Sequence, residues 1–230
     1  MYYDNIVEGI FVKRKNRFIA DVIIDGKKQE VRVNNTGRCN EIFKKGAKIY
    51  LQKSDNPKRK TRYSLISAYK GDMLINVDSQ SPNKVVFEGI EEGKVKYFND
   101  LKTLKREKTF QNSRFDLYYE RNSGQKGFIE IKGVTLEENN KTKFPDAPTT
   151  RGTRHVLEMI DAVKEGYEGN IFFLIQMDKV LEFTPNIEMD PDFANAVEKA
   201  KGKGVKIHIY NSLVSKNEIK LKDKGIFYWS

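Results

Sequence analysis

The sequence predicts a two-part α+β / α/β fold: a small antiparallel β-barrel over residues 1–78, then a mixed-sheet α/β domain over residues 79–230. Short strand-like runs separated by turn signals fill the first third. After Pro82 helical periodicity alternates with strands. The charge is also uneven. Residues 1–78 carry 17 Lys and Arg against 9 Asp and Glu, whereas the remaining 152 carry 25 against 23. A net charge of +10 concentrated in one part suggests a module that faces a polyanion.

The first part reads as strands at Ile6 to Lys13, Phe18 to Ile24, Gln29 to Val33, Ala47 to Gln52, Arg62 to Tyr69 and Met73 to Val77. Asp25-Gly26 is a two-residue hairpin signal and Gly71-Asp72 another turn. The stretch NNTGRCNEIFKKG is too polar and Gly-punctuated for a strand and is expected to hold a short helix. So many short strands in so few residues suggest an OB-like barrel, with an SH3-like barrel as the rival. DSQSPN then marks the boundary.

In the second part, Val85, Val86 and Ile90 suit a helix ending near Gly93. Strands follow at Lys102 to Lys108, Ser113 to Tyr119 and Gly127 to Val134. A helix over Thr149 to Gly166 carries Val156, Leu157, Met159, Ile160 and Val163 on its apolar face. NIFFLIQM at 170–177 reads as a buried strand. Asp190 caps a helix with Pro191 in its first turn. A strand at Gly204 to Tyr210 and an edge at Glu218 to Lys222 end the domain.

Aromatic residues make up 11% of the chain, which argues against disorder. No apolar run approaches the ~20 residues of a membrane span. The single cysteine, Cys39, excludes an intrachain disulfide and fits a reducing compartment. The opening MYYDNIVEGIFVKRK has no signal-peptide pattern, so a cytoplasmic protein without membrane partners is expected.

Chemistry concentrates in SRFDLYYE and GFIEIKGV. Strand alternation puts Phe115, Leu117 and Tyr119 on one face and Asp116 on the other, with Glu130 and Lys132 opposite Ile129 and Ile131. Register depends on the connecting loop. A two-residue Ser-Gly turn sets Asp116 against Ile131, whereas a three-residue loop or a bulge sets it against Glu130. Clustered carboxylates need neutralising. A divalent cation, Mg²⁺ or Mn²⁺, held by Asp116 and Glu130 together with phosphate and water, would do so. Lys132 could then stabilise charge on a reacting phosphate. The bland alternative is a solvated sheet face. Glu88 and Glu91 on the preceding helix offer a further carboxylate.

KRKNR and NPKRKTRY place Arg14, Lys15 and Arg17, and Lys58, Arg59, Lys60, Arg62 and Tyr63, at strand junctions suited to nucleic acid. Phe18 and Tyr63 are candidate base-stackers, core packing being the alternative. In FPDAPTTRGTRHVLEM, Thr149 or Thr150 can cap the helix. Arg151, Arg154 and Glu158 fall on its polar face, where the two arginines could grip phosphate. His155 is read as a hydrogen-bonded structural residue rather than a catalyst.

The order helix, strand, Asp strand, ExK strand, helix, strand resembles the PD-(D/E)xK nuclease superfamily. The whole chain resembles the sugar fermentation stimulation protein A (SfsA) family, through RFIADV, NNTGRC, NPKRKTRYSL, SPNKVVFEGI, SRFDLYYE, GFIEIKGVTL and FPDAPTTRGTRHVLEM. The resemblance implies an OB-like domain before a nuclease-like one, DNA binding, and a link to the regulation of sugar use, notably maltose. It implies Glu88, Asp116, Glu130 and Lys132 as the site positions. Two departures are visible: Gly133 stands where the family usually has a polar residue, and Phe115 replaces the leading Pro. The expected function is nucleic-acid binding, DNA more than RNA, with metal-dependent phosphodiester cleavage. The alternatives are a DNA-binding regulator without turnover and a protein-binding scaffold.

Overall fold

The computed structural model describes residues 1–222 except Thr36, Lys179 and Leu181. Strands β1 (Ile6–Arg14), β2 (Ile19–Ile24), β3 (Lys27–Val33), β4 (Lys48–Lys53), β5 (Tyr63–Lys70) and β6 (Met73–Asn76) pair in the order β3-β2-β1-β4-β5-β6. Parallel pairing of Arg32 with Ser64 and Val33 with Leu65 joins β3 to β5 and closes five strands into an OB-type barrel. Asp25 and Gly26 both adopt positive φ, 48° and 73°, the geometry a tight two-residue hairpin requires. Alternate residues fill the interior, among them Phe11, Ala20, Val22, Val31, Ile49 and Leu65. Among the described residues the short helix expected after Val33 is not formed. Turns run there instead, and Cys39 and Ile42 are buried in the core.

Helix α1 (Ser81–Glu91) opens the second part, followed by a 3₁₀ turn at Lys96–Phe98. Next come β7 (Leu101–Phe110), β8 (Ser113–Arg121) and β9 (Lys126–Val134), then β10 (Leu136–Glu138) and β11 (Lys141–Phe144). Helix α2 (Thr150–Lys164), β12 (Glu168–Ile175), β13 (Glu182–Pro185), α3 (Pro191–Gly202), β14 (Lys206–Val214) and β15 (Ile219–Leu221) complete it. The main sheet runs β15-β14-β12-β9-β8-β7, parallel at its centre and antiparallel at both edges. Val85, Val86 and Ile90 of α1 cover one face against Leu117, Ile129 and Ile131. Val156, Met159 and Ile160 of α2 cover the other against Phe115, Phe128 and Phe173. Leu157, expected on the apolar face of α2, is 38% exposed, whereas Glu158, expected in solvent, is buried. A second sheet, β10-β11-β13, stands beside the first. Among the described residues no helix is long and apolar enough to cross a membrane.

The two parts are bonded together. The backbone N–H of Asn76 donates to the Gln176 carbonyl at 2.9 Å. The Gln176 side chain in turn donates to the Asn76 and Asp78 carbonyls and to Asn76 Oδ1 and Ser81 Oγ, at 2.9–3.3 Å. This buried amide fixes the start of α1 against the end of β12.

Candidate metal centre and its cleft

The β8–β9 connection decides which residues meet. Arg121 N–H donates to the Gln125 carbonyl, leaving Asn122, Ser123 and Gly124 as a three-residue loop. Gly124 has φ +86°, the left-handed position such a loop needs. The ladder runs from Glu120↔Lys126 to Leu117↔Ile129 and stops there, with Asp116 the next residue on β8 and Glu130 the next on β9.

Asp116 sits where the regular pairing stops. The ladder between β7 and β8 skips Asp116, whose counterpart Glu107 has φ +53°. The strand rolls over there. Contrary to strict alternation, Phe115 packs with Phe110 and Phe128 beneath α2, whereas Leu117 and Tyr119 face α1. The Asp116 carboxylate takes the place of a strand partner. Its Oδ2 accepts from the Ile131 N–H and its Oδ1 from Asn83 Nδ2 of α1, both at 2.7 Å.

Glu130 projects from β9 beneath α2 and is 3% exposed. Its Oε1 accepts from Lys132 Nζ at 2.6 Å and meets His155 Nδ1 at 2.7 Å. His155 Nε2 accepts from Arg151 Nε at 3.4 Å, which assigns the ring proton to Nδ1 and makes His155 the donor to Glu130. Glu130 Oε2 is buried and has no hydrogen-bond partner. Glu158 Oε2 and Glu41 Oε1 are buried without a hydrogen-bond partner too; what sets Glu130 apart is its place beside Asp116 and the cleft-lining Lys132, where a cation is the partner its chemistry fits. No cluster of three or more His, Cys, Asp or Glu with metal-holding geometry occurs among the described residues. Two carboxylates are the donors available here, a set of the kind oxygen-seeking ions take.

Burial and the neighbouring Glu130 push the Asp116 carboxyl up to about 6, against an ordinary 3.8. Burial also opposes ionisation of Glu130, but Lys132 and the His155 N–H outweigh it and hold that carboxyl below its usual range. The folded protein thus keeps a proton on Asp116 that the unfolded chain has lost between pH ~4 and ~6. Stability falls as pH rises through that window and levels off above it. Two pKa units correspond to about 3 kcal/mol as an order of magnitude. Metal-free Asp116→Asn is therefore expected to be more stable than wild type at pH 7.5 by roughly 2–3 kcal/mol. Its advantage should shrink toward pH 4 and vanish with saturating divalent ion. Denaturant melts at the two pH values check this, and equal stability at pH 7.5 would contradict it.

A cleft of about 850 Å³ opens beside these residues, between barrel and sheet domain. Ile131, Lys132 and Gly133 line it together with Thr149 at the start of α2. From the barrel come Arg14, Arg17, Gly37 and Arg38. Gly133 is held by close approach. A Cβ there would lie 2.3 Å from Gln176 Oε1 and 2.6 Å from Pro82 Cγ, so Gln176 occupies the space a polar side chain at 133 would use.

Other expected residues are placed differently. Glu88 is turned away from the acidic pair: it binds the N-terminal amine at 2.7 Å and lies 3.7 Å from Lys84, so α1 contributes Asn83 instead. Arg14 lines the cleft, but its guanidinium is already engaged. All five N–H groups donate to the carbonyls of Asn16, Arg17, Asn35, Gly37 and Arg38. Lys15 pairs with Glu30 and lies 3.8 Å from Asp21. On the β4–β5 loop Lys58, Lys60 and Arg62 are exposed, Arg59 donates to Ser64 Oγ at 3.0 Å, and Tyr63 packs partly against the barrel core. None of these lines the cleft. Arg151 is drawn into the His155 chain, and Arg154 is 4.0 Å from Glu158. Asn83, Gln176 and Arg38 were not anticipated as site residues. SPN at a helix start and NNTGRC were the signals available for Asn83 and Arg38.

An OB-type barrel joined to a mixed-sheet domain with an Asp, Glu-x-Lys pair at its strand fork defines a two-domain protein of restriction-endonuclease-like architecture. The comparisons agree. Residues 12–77 match the SfsA N-terminal OB domain, and residues 80–218 the sugar fermentation stimulation protein RE domain. The chain belongs to the sugar fermentation stimulation protein (SfsA) family. It is 55% identical over 228 residues to a sugar fermentation stimulation protein homolog of Alkaliphilus oremlandii, covering 97% of both chains. A homolog from Clostridium perfringens is 49% identical, with 96% of each covered. The solved structure of Pyrococcus furiosus SfsA in complex with Ca²⁺ superposes with a TM-score of 0.90 at 28% identity, covering 99% of this chain and 98% of that one.

Proposed function

We propose that this protein binds nucleic acid, DNA in preference to RNA, and cleaves its phosphodiester backbone with Mg²⁺ or Mn²⁺. The observation that carries the reading is the free, buried Oε2 of Glu130 beside Asp116, whose carboxyl is pushed up to about 6 by burial and by the charge of Glu130. The Ca²⁺ complex of the Pyrococcus furiosus relative supports a divalent site in this fold. Asp116 and Glu130 would hold the ion. Bound there, it would polarise the phosphodiester and acidify an attacking water.

The protein's own groups do the rest. Asn83 and the Ile131 N–H fix the Asp116 carboxylate from two sides. His155, held by Arg151, fixes Glu130 so that Oε2 is the oxygen left to the ion. Lys132, 13% exposed beside the cleft, offers its ammonium to charge developing on the phosphate. The barrel, with most of the excess positive charge, supplies affinity for the backbone. A cytoplasmic setting fits the single buried cysteine.

The test is cleavage of single-stranded DNA, duplex DNA and RNA with Mg²⁺ or Mn²⁺, and with chelator, beside an Asp116→Asn preparation. The reading expects metal-dependent products from the wild type. Binding without cleavage by any metal would leave a DNA-binding regulator in its place.

A further inference from the structure

We propose that the cleft threads a single nucleic-acid strand between the two domains, with Arg17 and Arg38 on its barrel wall gripping phosphates and Phe18 stacking a base. The inference rests on the phosphodiester reading of Asp116, Glu130 and Lys132.

Size is the first argument. About 850 Å³ lies within the roughly 300–1,000 Å³ of small-ligand sites. A cleft of that size takes in a few nucleotides of an unpaired strand.

The second argument is the distribution of cation donors. Arg14 reaches the cleft, but its five N–H groups already serve five carbonyls. It therefore acts as a staple that locks the β1–β2 loop to the loop after β3. Arg17 and Arg38 lie on those two stapled loops. Both are exposed, both line the cleft, and neither has a carboxylate within ion-pair distance among the described residues. They face Lys132 from across the domain junction, which gives one strand cations on both sides.

Phe18 is the third. It follows the cleft-lining Arg17 directly, lies just outside the lining itself, and is 56% exposed, although the barrel beside it has an apolar core. An exposed aromatic ring beside a basic OB loop is a stacking surface for unpaired bases. A base inside a duplex has both faces covered and gains nothing from it.

The test uses the full chain with chelator present, so that binding is read without turnover. A fluorescent DNA oligonucleotide is offered as a single strand and as a blunt duplex, and anisotropy is followed against salt. The single strand is expected to bind at least about 10-fold tighter. The double variant Arg17→Ala/Arg38→Ala should flatten the log–log salt slope for the single strand by about 1.4, at about 0.7 per phosphate contact. Phe18→Ala should weaken single-strand binding at least about 5-fold, and Phe18→Trp should restore it. Duplex binding as tight as single-strand binding, or an unchanged salt slope in the double variant, would overturn the proposal. Cleavage with Mn²⁺ separates the two claims. Metal-dependent cleavage without strand preference removes this inference and keeps the phosphodiester reading. Strand preference without cleavage does the reverse.

Discussion

Asp116→Asn is expected to lower metal-dependent cleavage by about 10³-fold or more, while metal-free binding of nucleic acid stays the same or tightens. Asn keeps the shape of the side chain. Its Oδ1 can still accept from the Ile131 N–H, and Asn83 can turn its amide to present an oxygen to the new Nδ2. The substitution therefore removes a negative charge and one ligand oxygen without breaking the strand fork. Binding has little to lose, because a carboxylate beside a phosphate is repulsive. Turnover has most to lose, since the charge matters where the ion meets the developing phosphate charge. Parallel single-turnover and anisotropy measurements read the two quantities. A fall in binding that matches the fall in cleavage would place Asp116 in affinity rather than chemistry.

Lys132→Met should suppress cleavage by roughly 10²-fold if the ammonium acts on the reacting group. The loss should fall on kcat more than on KM. A second consequence follows from the pairing of Lys132 with Glu130 at 2.6 Å. Lys132 is the main influence that keeps the buried Glu130 ionised, with His155 second. Without it, less opposes burial and the Glu130 carboxyl rises. The acidic limb of the pH–rate profile should then move to higher pH. A uniform fall with an unmoved profile would confine Lys132 to phosphate contact, and an unchanged rate would remove it from the mechanism.

Much of this fold was legible because the deciding signals are local. Asp25-Gly26 announces its hairpin, and Asp190 with Pro191 announces α3, where Asp190 Oδ1 accepts from the Phe193 N–H at 3.0 Å. Glu130 and Lys132 stood out because they interrupt an apolar strand. The register of Asp116 stayed open because it turns on one glycine adopting a left-handed conformation, which sequence permits but does not impose. What was illegible depends on long-range geometry. Strands β10, β11 and β13 have three or four residues each, too short for a period to show, and β11 finds β13 some 40 residues away. Arg14 looked like a phosphate ligand because nothing in its surroundings reveals that five carbonyls converge on it. Glu88 and Asn83 sit on the same helix, and only packing decides that the amide, not the carboxylate, reaches Asp116.

The central claim is that one divalent ion shared by Asp116 and Glu130 is the centre of the site. Crystals soaked in Mn²⁺ and measured at the manganese absorption edge test it most directly. The account predicts an anomalous peak within roughly 2–2.6 Å of a carboxylate oxygen of each residue, with Glu130 contributing Oε2. A saturating soak that leaves this position empty, or binds manganese at carboxylates that include neither residue, would contradict it.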